Sequence, residues 1–184
     1  QYCTQVQAET LPKSLAGDDV TAQAQTGTGK TAAFLITIFD RILKHPLEKK
    51  RKHGTPRSLI LAPTRELVLQ IEKDAREIGK YVPCSILSLL GGIDYVKQMN
   101  VLKSEPCDIL ICTPGRLIDF MRKKLVDLSK VEILIIDEAD RMLDMGFIPH
   151  VKQIVINTPP KAKRQTMFFS ATISGDVKRL AESW

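Results

Sequence analysis

Residues 24–31 read Ala24-Gln25-Thr26-Gly27-Thr28-Gly29-Lys30-Thr31 and lie between an apolar strand pattern at 20–24 and a helical pattern at 30–43. Because Gly27 and Gly29 lack a Cβ atom, the loop can turn its N–H groups inward around phosphate oxygens. Lys30 can then reach the outer phosphates, and the Thr31 hydroxyl can ligate Mg²⁺ where the helix begins. The segment therefore predicts a phosphate loop that favours a nucleoside triphosphate.

This loop departs from the usual phosphate-loop pattern at one position. The pattern GxxxxGK[ST] opens with glycine, and this chain has Ala24 there. The remaining Gly-x-Gly-Lys-Thr core is still specific, since glycine makes up about 7% of residues and chance would give the core in roughly one such chain in a hundred or fewer. Taken alone, the segment leaves open an ordinary glycine turn before a helix.

A second segment adds to this interpretation. The nearly continuous apolar run at 131–136 is typical of a strand buried on both faces of a parallel sheet, and it ends in Asp137-Glu138-Ala139-Asp140. Ligands of open α/β sheets bind at the carboxyl edge, so Asp137 is predicted to face the phosphate loop and hold Mg²⁺. Glu138 is then placed to deprotonate the attacking water. The alternative is that both acids only complement a helix dipole.

Strand patterns alternate with helical patterns along the 184 residues. Such alternation predicts right-handed βαβ units in one α/β domain, a mostly parallel sheet with helices on both faces. The strand patterns lie at 20–24, 58–62, 85–90, 108–112, 131–137 and 164–170, and the helical ones at 30–43, 66–80, 94–102, 116–122 and 147–155. Residues 158–163 are predicted to form a loop.

Small polar groups follow four of the predicted strands. Hydroxyls, glycine backbones and two arginines along one sheet edge suit a sugar-phosphate backbone, because phosphates accept hydrogen bonds without regard to sequence. Helix capping is the alternative, since Thr64 and Thr113 each precede a helical pattern and Pro114 suits a first turn. A capping residue can still leave neighbouring amides free. The segments are Pro63-Thr64-Arg65-Glu66, Gly91-Gly92, Thr113-Pro114-Gly115-Arg116 and Ser170-Ala171-Thr172.

The amino-acid composition limits the kinds of protein that this chain can be. With 43% hydrophobic and 26% charged residues, the chain is typical of soluble globular proteins, and no run of 18 apolar residues predicts a membrane span. Residues 44–57 contribute +5 of the net charge of +6, which favours a solvated connection over a nucleic-acid site. The four cysteines lack zinc spacing and fit a reducing cytoplasm, with Cys107 and Cys112 predicted in the core.

These motifs, in this order, resemble the DEAD-box RNA helicases of superfamily 2, and the resemblance covers essentially the whole chain as their first RecA-like P-loop domain. The family's phosphate loop reads AxxGxGKT, which accounts for Ala24. The resemblance implies ATP and Mg²⁺ as cofactors, with residues 24–31 binding ATP. Thr31 and Asp137 would hold the metal, partly through water. Lys30, Asp137 and Glu138 would be the catalytic residues.

The resemblance also assigns the remaining motifs. As coupling residues, Asp140 would make contacts that link the two domains, and Ser170-Ala171-Thr172 would couple hydrolysis to strand separation. Gln7 would pair with adenine through its amide, although this chain has Gln5 where the family usually has proline, and the family's stacking aromatic would lie upstream of Gln1. The implied RNA-backbone contacts are Pro63, Thr64, Arg65, Gly91, Gly92, Thr113, Pro114, Gly115 and Arg116.

The function implied by the resemblance is ATP-driven local separation of RNA duplexes. A second RecA-like domain, which the 184 residues do not include, would supply arginine fingers, so we expect a fragment that binds nucleotide with little turnover. One alternative is an ATP-gated RNA clamp or a scaffold component of an RNA-degradation complex. Another is a DNA translocase or other P-loop ATPase, against which Gln7 and the complete Asp-Glu-Ala-Asp segment argue. Residues 142–147 resemble bacterial members, including those that partner RNA-degradation scaffolds.

Overall fold

The computed structural model describes residues 2–47, 49 and 51–184. Within them, six parallel strands form one sheet in the order β1-β6-β5-β2-β4-β3. The strands are β1 (Val20–Gln23), β2 (Ser58–Leu61), β3 (Ile86–Leu89), β4 (Ile109–Cys112), β5 (Ile133–Ile136) and β6 (Gln165–Ser170). The helices are α1 (Gln5–Ala16), α2 (Lys30–Lys44), α3 (Arg65–Ile78), α4 (Tyr95–Ser104), α5 (Pro114–Arg122), α6 (Ala139–Asp144), α7 (Ile148–Ile156) and α8 (Gly175–Ser183).

Alternation along each buried strand sends side chains into two separate cores. In β2, Leu59 and Leu61 face one core and Ile60 faces the other, as the period of two in a strand requires. Helices α2 and α3 cover the second core, whereas α5, α7 and α8 cover the first. The predicted α/β fold with helices on both faces is confirmed, and each predicted strand differs from the observed one by a few residues at its ends.

Helix α1 was not predicted as a helix. Its interior contains Pro12, and its buried residues are the polar Thr10 and Ser14, so it shows no apolar stripe. The helix is fixed instead by polar contacts: the hydroxyls of Ser14 and Thr37 lie 2.7 Å apart in a buried hydrogen bond, and Gln165 Nε2 donates to the Ser14 carbonyl at 2.8 Å. The periodicity of apolar residues indicates only helices with an apolar face, so it did not predict α1.

The basic segment 44–57 is only in part the solvated connection that its composition predicts. Arg57 is 3% exposed and donates to both oxygens of Glu132, at 2.9 and 3.1 Å. Arg51 donates to the same carboxylate at 2.6 Å. These two arginines therefore anchor the segment to the fold, because a buried cation needs a paired acid. Glu48 and Lys50 of this segment lie outside the described residues.

The segment 158–163, predicted as a loop, contains a short 3₁₀ turn at Lys161–Lys163. Cys107 and Cys112 are buried and free, as predicted, and both lie in the same core. Their odd spacing would place them on opposite faces of the sheet if both lay in one strand, but Cys107 precedes β4. None of the described helices combines the length and the apolar character that crossing a membrane requires.

Candidate functional site

The parallel sheet brings the carboxyl ends of all six strands to one edge. The phosphate loop follows β1 at this edge, and the acidic segment 137–140 follows β5. Strand β6 lies between β1 and β5, so segment 170–172 ends between the loop and the acids. The segments 63–66, 91–92 and 113–116 follow β2, β3 and β4 on the other half of the edge.

The phosphate loop has the backbone that its glycines allow. Gly27 and Gly29 have φ angles of +82° and +86°, which side chains other than glycine rarely adopt. A Cβ atom on Gly29 would also lie 2.5 Å from Nε2 of Gln7. Helix α2 begins directly after this glycine, so its free N–H groups point toward the loop. The arrangement suits binding of an anion.

Lys30 and Asp137 join the loop to the acidic segment. The Lys30 Nζ lies 2.8 Å from Asp137 Oδ1, and both side chains are buried. The second carboxylate oxygen, Oδ2, is buried and has no hydrogen-bond partner among the residues that the structure describes. Burial raises the pKa of Asp137, and the ammonium of Lys30 opposes that rise. An unpaired buried carboxylate oxygen beside the Lys30 contact fits a ligand to a hard cation.

Glu138 contacts both the phosphate loop and the helix that follows it. Its backbone is left-handed, with φ 52° and ψ 52°, and its side chain makes no capping hydrogen bond to α6. Instead, Thr26 Oγ1 donates to Glu138 Oε1 at 3.3 Å, and Arg141 Nη1 lies 3.5 Å from Oε2. Strained backbone of this kind persists where the surroundings fix it. Glu138 also occupies the N-cap position of α6, a place where an acid complements the helix dipole.

Asp140 is joined to the segment after β6. Its Oδ2 accepts hydrogen bonds at 3.1 Å from both the N–H and the hydroxyl of Thr172, while its own N–H donates to Ser170 Oγ at 3.2 Å. Partial burial raises the pKa of Asp140, but the hydrogen bonds from Thr172, the Arg141 N–H and Ser170 outweigh burial, and the pKa lies below its usual value. The two segments predicted to act together are in contact.

We expect Thr172→Val to raise the pKa of Asp140 toward the usual value, because the Thr172 hydroxyl is the strongest of the groups that lower it. A lowered pKa stabilises the fold above the unfolded-state pKa, and this stabilisation is lost as pH falls through the folded-state value. The variant should therefore lose less stability on acidification than wild type. An NMR pH titration of the Asp140 carboxyl carbon checks this, with Ser174→Ala as a control, and an unchanged pKa would contradict it.

Both ends of the Gln7 amide have partners within the chain. Its Oε1 accepts from the Thr4 N–H at 3.1 Å, and its Nε2 donates to the Gly29 carbonyl at 3.2 Å. An adenine would share this amide with those groups. A cavity of about 480 Å³ lies beside it, and its lining includes Glu9 and Gln23, which sequence reasoning did not single out. In the sequence, the one feature that could have indicated a role for Gln23 at this cavity is its position directly before the phosphate loop.

The segments at the other half of the edge differ in their exposure. Thr64 caps α3 by accepting from the Leu67 N–H at 3.3 Å, as its capping interpretation predicted. Thr113 is the N-cap residue of α5 and Pro114 lies in the first turn, as predicted, but the Thr113 side chain makes no capping hydrogen bond. Pro63 and Pro114 are buried, whereas Arg65, Gly91, Gly92, Gly115 and Arg116 are exposed or half-buried.

The two arginines of this surface meet at one turn. A Cβ atom on Gly92, which has a φ angle of +75°, would overlap the guanidinium of Arg65. Arg116 Nη1 donates to the Ile93 carbonyl at 3.4 Å, and Arg116 Cζ lies 5.4 Å from the ring centre of Tyr95. The structure thus brings together the sequence-predicted residues that follow β2, β3 and β4.

A family model described as DEAD/DEAH box helicase matches residues 4–180. The chain belongs to this family. Membership of the DEAD/DEAH box helicases implies ATP binding, in agreement with the phosphate loop and the acidic segment, and it confirms the family that the motifs indicated.

Curated relatives support the assignment over the whole chain. The ATP-dependent RNA helicase RhlB of Pseudomonas putida is 54% identical over 183 residues, which cover 100% of this chain and 46% of that protein. The RhlB protein of Xanthomonas oryzae is 49% identical over 180 residues, 97% of this chain and 31% of its own length. This DEAD/DEAH box chain therefore spans about half or less of the curated relatives it matches.

Solved structures share its fold. A hypothetical ATP-dependent RNA helicase from Sulfolobus tokodaii superposes with a TM-score of 0.85 at 38% identity, covering 100% of this chain and 50% of that one. The yeast DEAD-box splicing factor Prp28 gives a TM-score of 0.88 at 36% identity, covering 98% of this chain and 43% of its own. The chain accordingly has the fold of an ATP-binding half of a DEAD-box helicase.

Proposed function

We propose that this chain is the first of two RecA-like domains of an RNA helicase that binds ATP with Mg²⁺ and separates short RNA duplexes. The observation that carries the proposal is the buried contact between Lys30 and Asp137, which leaves one carboxylate oxygen free beside the phosphate loop. Glu138 lies against Thr26 at the same place. The names of the RhlB relatives support RNA as the substrate.

The chain's residues divide the chemistry of ATP hydrolysis among them. The loop N–H groups and Lys30 bind the phosphates, while Thr31 and Asp137 are the residues that would hold Mg²⁺, partly through water. Bound there, the cation supplies charge neutralisation on the phosphate oxygens. Glu138 orients the attacking water and accepts its proton, and its contact with Thr26 directs the carboxylate toward the loop.

The segments after β2, β3 and β4 form the proposed RNA surface. Arg65 and Arg116 offer guanidinium groups, and Gly91, Gly92 and Gly115 offer backbone with no side chain in the way. Such groups contact phosphate and sugar, so binding is expected to be independent of sequence. The contact between Asp140 and Thr172 would relay hydrolysis to this surface. We place the protein in the bacterial cytoplasm, with an RNA-degradation scaffold as a partner suggested by residues 142–147.

We expect residues 1–184 alone to bind nucleotide but to hydrolyse ATP very slowly, with or without RNA. In the proposal, arginines of the second domain stabilise transition-state charge, a contribution worth ~10³ to 10⁵ in rate. A single-turnover phosphate-release assay with radiolabelled ATP tests this, with the protein that contains both domains as the reference. Robust RNA-stimulated phosphate release by the 184 residues would show that a second domain is not needed.

A further inference from the structure

Gln98 lies in the second turn of α4, outside every segment assigned so far, yet its side chain is only 7% exposed. We propose that Gln98 is a positioning residue that fixes the turn at 90–94, and with it Gly91-Gly92, in the conformation that receives the RNA backbone. The inference rests on the proposed function of that surface. It assigns Gln98 no contact with RNA.

The Gln98 amide makes hydrogen bonds at both ends of the turn. Its Oε1 accepts from the Leu90 N–H at 3.0 Å, and its Nε2 donates to the Leu90 carbonyl at 3.1 Å. The same Nε2 lies 3.3 Å from the Ile93 carbonyl and 3.5 Å from that of Asp94. One side chain therefore joins the residue before the two glycines to the residues after them.

A carboxamide is the side chain that this arrangement requires. Leu90 offers a donor and an acceptor that face the same amide, and Gln98 supplies the matching acceptor and donor. Leu90 is fully buried, so water cannot replace a lost partner. Removing the amide would leave these backbone groups unpaired and release a constraint on a turn that contains two glycines.

The position of the turn at 90–94 determines where Arg65 and Arg116 of the proposed RNA surface lie. Arg65 packs against Gly92 so closely that no Cβ atom fits between them. Arg116 donates to the Ile93 carbonyl, one of the groups that Gln98 also contacts. A shift of the turn would move the acceptor of one arginine and the packing surface of the other. The effect of Gln98 thus reaches the expected phosphate contacts through the backbone.

A different role for Gln98 would be to protect the edge of the sheet, since β3 is an outer strand. Arg76 does this at the amino end of β3, where its Nη2 donates to the Ile86 carbonyl at 3.0 Å. Because Arg76 lies at the opposite end of the strand from the turn, it provides a matched control. Loss of either side chain removes an edge contact, but only loss of Gln98 is expected to disturb the glycine turn.

The test uses the isotopically labelled 184-residue chain and its Gln98→Met and Arg76→Gln variants, titrated by NMR with single-stranded oligouridylate and, separately, with ADP. Methionine keeps the length of the side chain without its polar atoms. For Gln98→Met we expect shifted Gly91 and Gly92 amide signals and RNA affinity lower by roughly tenfold, the usual effect of a buried hydrogen-bonding group. ADP affinity should remain at the wild-type value. Arg76→Gln should leave both affinities and the glycine signals unchanged.

Wild-type RNA affinity in Gln98→Met, or an equal loss of RNA and ADP affinity, would overturn the assignment. If the methionine variant does not fold, Gln98→Asn replaces it, because the shorter amide cannot reach both Leu90 and Ile93 and should show the same split. Absence of any RNA-induced shift in wild type would overturn the proposed RNA surface itself, together with this inference. The two failures are distinguishable, because in the first one wild type binds RNA and the loss of Gln98 leaves RNA affinity unchanged or lowers RNA and ADP affinity equally.

Discussion

Lys30→Ala is expected to abolish most of the nucleotide affinity of this chain, with a dissociation constant for Mg²⁺-ADP higher by about 10- to 100-fold, as the loss of a hydrogen bond to a charged group predicts. Lys30 begins α2 directly after the phosphate loop, where the proposed function has its ammonium complement the phosphate charge. Its removal also leaves the Asp137 carboxylate buried without its cation. Isothermal titration calorimetry measures the effect.

The control for this prediction is Lys44→Ala at the other end of the same helix. Lys44 is exposed and pairs with Asp40 on the surface, so its removal changes the charge equally without touching the loop. Because an unpaired Asp137 would destabilise the fold, thermal unfolding of Lys30→Ala confirms that the titrated protein is folded. Equal ADP affinity in folded Lys30→Ala and wild type would contradict the assignment of residues 24–31 as the phosphate loop.

In the two-domain protein, Glu138→Gln should separate binding from chemistry, with ATP hydrolysis lower by ~10²-fold or more, the loss expected when a general base is removed. The amide is nearly isosteric, and its oxygen can still accept from Thr26. It leaves the pair of Lys30 and Asp137 intact, but it cannot accept the proton of the attacking water. The expected phenotype is a long-lived ATP-dependent RNA complex with little phosphate production.

Steady-state phosphate release and the lifetime of the RNA complex check this phenotype. Asp144→Asn is the control, because it removes one negative charge from an exposed position of the same helix. Should hydrolysis by Glu138→Gln stay within about twofold of wild type, far short of the loss of a general base, Glu138 would have to be a structural acid.

The sequence predicted the fold and the contact between the phosphate loop and the acidic segment, because both follow from patterns of neighbouring residues. Buried parallel strands are apolar runs, and a carboxylate directly after such a run must lie at the carboxyl edge of the sheet. That rule placed Asp137 opposite Lys30 although the two are more than a hundred residues apart, and the structure joins them at 2.8 Å. Gly27 and Gly29 likewise marked positions that need positive φ angles.

Polar contacts between distant segments escaped prediction, since no local pattern marks them. The buried pair of Arg57 and Glu132 joins residues 75 positions apart, and composition alone assigned Arg57 to a solvated segment. Gln98 resembles any polar residue of an amphipathic helix until its contacts with Leu90 are known. The same holds for Thr26, whose contact with Glu138 depends on how the loop and β5 meet.

If this chain is the ATP-binding half of a helicase that acts on RNA, phosphate release by the two-domain protein should depend on which nucleic acid is added, single-stranded RNA or DNA of the same sequence. We expect strong stimulation of phosphate release by RNA and a rate near the basal value with DNA, because a 2′-hydroxyl distinguishes the two backbones. A clamp that hydrolyses ATP only for release would show RNA-dependent binding with little stimulation. Equal stimulation by DNA and RNA, or none by RNA, would contradict the account.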